Sequence, residues 1–114
     1  MDFSDAGLRV LGLIPPLRRM PIPQGPRDMA SVLDKGLAAM PDGEALVGRH
    51  ARFTYRALDA EVNAATAVLH SLGVAAGDRV AISVANHPDL VIGFLATQRL
   101  GALWVGLNSI LSAP

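Results

Sequence analysis

The sequence predicts an α/β fold in which two parallel strands are joined through one helix. Residues 79–84 and 102–107 are short apolar runs without regular polar alternation, which is typical of strands buried on both faces of a parallel sheet. The segment between them begins at Pro88, ends before Gly101 and is apolar on most sides, as expected for a buried helix. We expect a right-handed crossover between the strands.

The composition is that of a small and unusually apolar domain with no net charge. The chain has 114 residues, of which 51% are hydrophobic and 18% charged, and its mean hydropathy is +0.36. Either the core is simply large, or part of the apolar surface contacts further protein. Ten basic residues balance ten acidic ones, so neither nucleic acid nor an anionic membrane is an expected partner.

Two kinds of segment are not expected from this sequence. The start of the chain lacks the basic residues of a secretory signal, and no apolar run approaches the roughly 20 residues of a transmembrane segment. The chain also contains no cysteine, which excludes disulfides and thiolate zinc sites. These features fit a cytoplasmic protein.

Residues 1–27 are predicted to form a short N-terminal helix and a proline-rich connector. The helix would span residues 1–14 and place Phe3, Leu8, Leu11 and Ile14 on one face. Five prolines between positions 15 and 26 exclude a helix or an inner strand, so this part is expected to be extended. A proline-rich ligand for a partner domain is the alternative.

Residues 28–114 are predicted to form the folded domain. A helix capped by Asp28 should run to Met40, and strands at 45–48 and 52–55 should form a hairpin. The helix over 54–72, with Thr54 as its N-cap and Gly73 after its end, is the clearest element. Its apolar stripe has helical spacing and consists of Tyr55, Leu58, Val62, Ala65, Leu69 and Leu72.

Three stretches, taken in order, resemble one protein family. Together they are similar to the N-terminal subdomain of AMP-forming acyl-CoA synthetases, a family that also contains luciferases and the adenylation domains of peptide synthetases. The resemblance covers about residues 41–109. The matching stretches are Glu44-Ala45-Leu46-Val47 with Phe53-Thr54-Tyr55-Arg56-Ala57-Leu58-Asp59, then Gly77-Asp78-Arg79-Val80-Ala81-Ile82 with Asn86-His87-Pro88, and finally Leu100-Gly101-Ala102 with Val105-Gly106-Leu107-Asn108.

Two positions depart from the family pattern. Ala57 stands where the family often has the Glu of a capping box, so the helix that begins after Thr54 loses a modest support. Gly106 stands where the family usually has proline. This glycine increases the freedom of the backbone and weakens the positioning of Asn108.

The resemblance implies a two-step ligation of a carboxylic acid to coenzyme A. ATP and the acid give an acyl-adenylate and pyrophosphate, and the CoA thiolate then displaces AMP. The complete enzyme would therefore use ATP, Mg²⁺, CoA and a carboxylic acid, with fatty acid metabolism as its expected setting. Such chemistry needs charges fixed around the phosphates.

The family's catalytic motifs are not found among these 114 residues. No segment rich in Ser, Thr and Gly ends in lysine, and the single lysine, Lys35, lies on an early helix. We therefore expect an N-terminal fragment that is inactive alone, with no catalytic residue, no metal ligand and no cofactor bound by itself.

Arg99 is the one candidate for a cofactor contact. In some acetyl-CoA synthetase relatives an arginine at the matching place lies near the CoA phosphate, and a guanidinium can form paired hydrogen bonds to phosphate. The alternative is a salt-bridged arginine at a helix C-terminus. His50, His70 and His87 are far apart in the sequence, so they predict neither a metal site nor a general base.

Two other functions compete with the ligase fragment. A stand-alone interaction module could pair with another chain through an exposed sheet edge. A small Rossmann-like nucleotide binder would need a Gly-rich turn directly after its first strand. The residues at that place are Ala85-Asn86-His87-Pro88, which argues against the nucleotide binder.

Overall fold

The computed structural model describes residues 3–13 and 25–108, and it confirms the α/β fold. The elements, in chain order, are α1 (Asp5–Val10), a 3₁₀-helix (Met29–Ser31), α2 (Asp34–Ala39), β1 (Glu44–Val47), β2 (Arg52–Thr54), α3 (Tyr55–Ser71), β3 (Arg79–Ile82), α4 (Pro88–Arg99) and β4 (Leu103–Gly106). None of the helices within these residues is long and apolar enough to cross a bilayer.

The first helix is shorter than predicted. It begins after Ser4, whose hydroxyl accepts the Gly7 amide, and none of its residues is buried. Phe3 and Leu11, which were expected on a packed face, are exposed. Ile14 and most of the predicted proline connector lie outside the described residues.

The prediction of one continuous helix from Asp28 to Met40 is wrong. The chain forms a 3₁₀ turn, passes through Val32 and Leu33, and only then enters α2. Asp28 is the N-cap, as predicted, but its carboxylate accepts both the amide and the hydroxyl of Ser31. The same two bonds lower the pKa of Asp28, with the hydroxyl contributing most.

The predicted hairpin is confirmed. β1 and β2 pair antiparallel, with Leu46 opposite Phe53 and Val47 opposite Arg52. Gly48 closes the turn by donating its amide to the Ala51 carbonyl at 2.8 Å. The hairpin packs its inner side chains against the same core as α3.

The long helix α3 also forms as predicted. Thr54 Oγ1 accepts the amide of Ala57 at 3.1 Å, and Gly73, with φ = 91°, follows the C-cap. Leu58 and Val62 of its stripe are buried in the core, and Val62 is completely inaccessible. Leu72 is exposed, because it is the C-cap and lies past the last helical turn.

The predicted β-α-β unit is present, and its strands are parallel. Val80 lies beside Trp104, and Ile82 beside Gly106. Both strands are shorter than the predicted spans of 79–84 and 102–107. Gly93 lets α4 approach the sheet closely, since a Cβ there would lie 2.6 Å from Ile82 Cδ1.

The expected burial of both sheet faces does not occur within the described residues. Successive side chains of a strand point to opposite faces, and α4 covers only one of them. On the other face, Ala81 is exposed and Leu103 is 53% exposed. The predicted deep burial of α4 holds only in part: Pro88, Ile92, Leu95 and Ala96 are buried, whereas Leu90, Val91 and Phe94 are half-buried.

The core lies between α3 and α4. Its buried members are Leu33, Leu58, Val62, Ile92, Leu95 and Ala96. Thr97 is fully buried beside them and donates its hydroxyl to the Gly93 carbonyl at 2.8 Å, so its polar group is satisfied. α4 is therefore the central element, with the parallel sheet on one side and α3 on the other.

Candidate functional site

The carboxyl ends of the two parallel strands mark the candidate site. Asn86 and His87 follow β3, and Leu107 and Asn108 follow β4, so these four residues meet at one edge of the sheet. α4 begins at the same edge. In open α/β sheets, ligands bind outside the carboxyl ends of the strands, where helices also begin.

His87 is the N-cap of α4. Its Nδ1 accepts the amide of Asp89 at 3.2 Å and lies 3.2 Å from Asp89 Oδ2. Pro88 occupies the first turn, as predicted, and needs no amide partner there. The sequence reasoning missed the capping role of His87. The signal was available, because the residue before a proline at the first helical position is the N-cap by position.

A pocket of about 370 Å³ lies between the hairpin turn and the start of α4. Gly48 brings the two elements together, since a Cβ at this position would lie 2.7 Å from Pro88 Cγ. The wall is about equally polar and apolar, and the polar side chains that line the pocket are Arg49, Asn86 and His87. A small ligand with an apolar body and a polar end would match such a lining.

A second, apolar groove of about 470 Å³ lies in the angle between α4 and β4. Its lining consists of Leu90, Val91, Phe94, Trp104 and Gly106. The rings of Phe94 and Trp104 meet edge to face with centroids 5.4 Å apart. Trp104 was predicted as a core residue, and it is half-buried at the floor of this groove. The groove carries no charged side chain, so it fits apolar groups rather than phosphates or metal ions.

Arg99 lies at the opposite end of α4 from the candidate site. Its Nη2 is 2.6 Å from Asp59 Oδ1 and its Nη1 is 2.5 Å from Asn63 Oδ1, both on α3. The side chains of Arg99 and Asp59 are only 16% and 28% exposed. The structure thus shows the salt bridge that was the alternative for Arg99. A contact with the CoA phosphate stays a prediction.

The partnership of Asp59 and Asn63 was missed in the sequence. These residues are four apart on α3, directly after Leu58 and Val62 of the buried stripe. Polar residues at this spacing beside a buried stripe share one helix face and can both form hydrogen bonds with one side chain of a partner helix. Their position flanking the stripe was the available signal.

The remaining candidate groups do not converge. His50, His70 and His87 are exposed on three separate elements, and Lys35 is exposed on α2. Within residues 3–13 and 25–108, no three His, Cys, Asp or Glu side chains could hold a metal ion together. The residues that are described thus offer one mixed polar and apolar pocket and one apolar groove at the candidate site, and a salt bridge at the far end of α4.

Comparison with known proteins assigns the family. A family model of the AMP-binding enzymes matches residues 33–114. The chain belongs to the AMP-binding enzyme family. The 3-hydroxybenzoate–CoA ligase of Aromatoleum sp. (strain CIB) is 38% identical over 76 residues, which are 67% of this chain and 14% of that protein. The long-chain-fatty-acid–CoA ligase FadD13 of Mycobacterium tuberculosis (strain ATCC 25618 / H37Rv) is 40% identical over 63 residues, which are 55% of this chain and 12% of that protein.

A solved structure shows the same relationship. The N-terminal subdomain of NpsA from Klebsiella oxytoca superposes with a TM-score of 0.69 at 33% identity, over 75% of this chain and 22% of that chain. The chain therefore spans only a small part of the length of these relatives. The predicted resemblance to adenylate-forming enzymes and the predicted N-terminal subdomain fold are both confirmed.

Proposed function

We propose that residues 28–114 form the first part of the N-terminal subdomain of an ATP-dependent ligase that joins a carboxylic acid to CoA. The observation that carries the proposal is the family match over residues 33–114, on a chain whose hairpin, α3 and β-α-β unit follow the fold of a solved N-terminal subdomain. Both curated relatives described above are named as CoA ligases. The substrates of the complete enzyme would be ATP, CoA and an acid with an apolar body.

The part played by these residues is that of a scaffold. The β3-α4-β4 unit holds two neighbouring strands of the sheet in place and positions the start of α4 beside the carboxyl ends of these strands. A rigid parallel pair of this kind positions the loops at its carboxyl end, where the reacting groups of α/β enzymes lie. We propose a cytoplasmic location, which the absence of cysteine supports, and fatty acids are among the candidate acids of the enzyme.

We further propose that these 114 residues do not catalyse the ligation alone. The sequence has a single lysine, Lys35, and no Ser/Thr/Gly-rich loop that ends in lysine. Without such a loop, no set of fixed donors surrounds the phosphates of ATP, and most of the electrostatic stabilisation of the transition state is missing. In the complete enzyme, ATP, Mg²⁺ and CoA would be held by residues of other segments.

Exchange of pyrophosphate into ATP tests both the scaffold role and the inactivity of the isolated chain. The host is the 3-hydroxybenzoate–CoA ligase of Aromatoleum, in which residues 33–114 of this chain replace the matching segment. We expect 3-hydroxybenzoate-dependent exchange in the chimera and none in the 114-residue chain. A host with the segment deleted is the control. A folded chimera without exchange would refute the scaffold role, and exchange by the isolated chain would refute its inactivity.

The second candidate function is a stand-alone module that pairs through its sheet edge. It is favoured by the parallel sheet of β3 and β4, in which each strand has one hydrogen-bonded neighbour among the described residues and so presents an open edge. Sedimentation of the purified chain distinguishes the two proposals. A stable, concentration-independent monomer that unfolds cooperatively and captures another chain would support the module.

A further inference from the structure

We propose that the His87 cap of α4 is a pH-dependent switch that exchanges one hydrogen-bond partner for another. The neutral imidazole accepts the backbone amide of Asp89, and the protonated imidazole would instead donate to the Asp89 carboxylate. Both partners already lie 3.2 Å from His87 Nδ1. The switch would therefore change the first turn of α4, at the carboxyl edge of the parallel sheet.

A single ring nitrogen of His87 faces both partners. A neutral imidazole has one nitrogen that donates and one that accepts, and the donating amide of Asp89 requires that Nδ1 be the acceptor. The same lone pair then lies 3.2 Å from Asp89 Oδ2, which is also an acceptor. Because two acceptors at this distance repel each other, the neutral state satisfies the amide at the expense of the carboxylate.

Protonation reverses this arrangement. Both nitrogens of a charged imidazole are donors, so the ring no longer offers an acceptor to the Asp89 amide. Its Nδ1 proton can instead form a charge-assisted hydrogen bond to Asp89 Oδ2, which is within reach at 3.2 Å. Each protonation state of His87 thus satisfies one of the two partners and leaves the other without the imidazole.

The start of α4 depends on this cap. Pro88 has no N–H and the amide of Leu90 donates to the His87 carbonyl at 3.0 Å, so the amide of Asp89 is the first N–H of the helix. The first amides of a helix have no intrahelical acceptor and rely on a cap or on water. Serine and asparagine, two of the usual N-caps, are uncharged and keep their acceptor when the pH changes. Histidine at this position makes the cap conditional on pH.

The charges around His87 come from α4 and from the hairpin turn. The carboxylate of Asp89 favours the protonated imidazole, whereas the positive end of the α4 dipole opposes it. Arg49, in the hairpin turn, lines the same pocket as His87 and also opposes protonation, while His50 of that turn does not line the pocket. Asn86, the remaining polar lining residue, is uncharged. One acid is therefore set against one base and a helix dipole, so these charges do not all favour one state.

The switch would alter the pocket between the hairpin turn and the start of α4. His87 is one of the polar side chains that line this pocket, and its side chain is 42% exposed, so the imidazole has room to turn. A positive charge added beside Arg49 would make the pocket more favourable for anions. Loss of the cap would also loosen the first turn of α4, which contributes Leu90 and Val91 to the wall.

Nitrogen chemical shifts of the imidazoles in the 114-residue chain report which ring nitrogen carries a proton. At about pH 8 we expect Nδ1 of His87 to carry none and Nε2 to carry one, and at about pH 5 we expect a proton on both. A neutral form with its proton on Nδ1 would overturn the proposal, because that nitrogen would already donate to the carboxylate. The Cγ resonance of Asp89 should shift with protonation of His87, and a Cγ shift that does not follow it would exclude the exchange of partners.

Hydrogen exchange of the amides of residues 89–91 measures the cap itself. After correction for the intrinsic pH dependence of exchange, their protection should fall about fivefold from about pH 8 to about pH 5, since an N-cap side chain contributes a factor of this order. His87→Ser retains an acceptor without the imidazole, so its protection should stay constant over this range. His70→Ser is the matched control, because it removes an exposed histidine from the last turn of α3 and should leave the wild-type pH dependence intact.

Two results of the exchange experiment would overturn the switch. One is protection of residues 89–91 that does not change with pH in the wild type, and the other is an equal change in His87→Ser. All of these measurements use the 114-residue chain and require no adenylation chemistry. Failure of the switch would therefore leave the proposed ligase scaffold untouched, and a chimera without pyrophosphate exchange would leave the switch untouched.

Discussion

Replacing Gly36 with alanine tests how closely α2 is held against α3. A Cβ at this position would lie 2.1 Å from Tyr55 Cε1 and 2.4 Å from both Cδ1 and Cζ, whereas ordinary contact begins near 3.4 Å. The aromatic ring is rigid, and its backbone is the first residue of α3, fixed by the Thr54 cap. The ring would have to move by about 1 Å or more to accept the methyl group.

Two opposing effects decide the sign of Gly36→Ala. Alanine is favoured over glycine inside a helix by about 1 kcal/mol. Overpacking costs about 1–3 kcal/mol, and the overlap of three ring atoms places this site near the upper end. We therefore expect a net destabilisation of about 2 kcal/mol. With Tyr55→Ala in the background, the clash is absent and Gly36→Ala should stabilise by about 1 kcal/mol.

Urea unfolding of the wild type, both single variants and the double variant measures this reversal. Far-UV circular dichroism follows the helices, and the double-mutant cycle gives a coupling of about 3 kcal/mol between the two positions. If Gly36→Ala stabilises the chain while Tyr55 is present, α2 is not in close contact with the Tyr55 ring and the described packing is wrong.

Substitutions at four further positions test individual contacts by the same unfolding assay. Asp59→Ala should lower the free energy of unfolding by about 1–3 kcal/mol, because it leaves the mostly buried Arg99 without its carboxylate. Glu44→Ala breaks an ion pair whose arginine is 71% exposed, so it should lower the free energy of unfolding by less than about 1 kcal/mol. Equal losses from the two substitutions would contradict this ranking. Thr54→Ala should cost about 1 kcal/mol by removing the cap of α3, and Thr54→Ser should restore most of it. The pKa of Asp28 is lowered in the folded state, so its stabilising contribution is present above the unfolded pKa and is lost as the pH falls below about 4. Asp28→Asn should therefore lose less stability in acid than the wild type. Parallel pH profiles of the two proteins would refute this.

Local sequence patterns correctly predicted those elements for which capping residues, apolar spacing and terminal glycines all indicate the same structure. The α3 helix has a cap, an apolar stripe and a terminal glycine, and it begins and ends within one residue of its predicted limits. The parallel unit was predicted from apolar runs and the proline and glycine that bound its helix. The helix expected over 28–40 failed because the chain leaves α-helical geometry at Val32 and Leu33, and the helical spacing of apolar residues does not reveal such a break.

The candidate site was harder to predict than the fold. Arg99 was recognised as the one notable cation, but its partners Asp59 and Asn63 lie about 40 positions away in the sequence. His87 was treated as a lone histidine, although its position before Pro88 makes it a cap. Neither concavity at the candidate site was foreseen, because each is formed by elements that meet only in the folded chain.

The sequence by itself determined the order of the elements and the parallel pairing of β3 and β4, because these follow from short-range patterns of capping, turns and apolar spacing. The family followed separately, from the resemblance of three ordered stretches to known members. Only the tertiary structure decided which sheet face is covered, which cation is paired and where the groove beside Trp104 opens. These properties depend on distances between segments far apart in the chain, and the sequence pattern of a strand is the same whether its second neighbour is present or not.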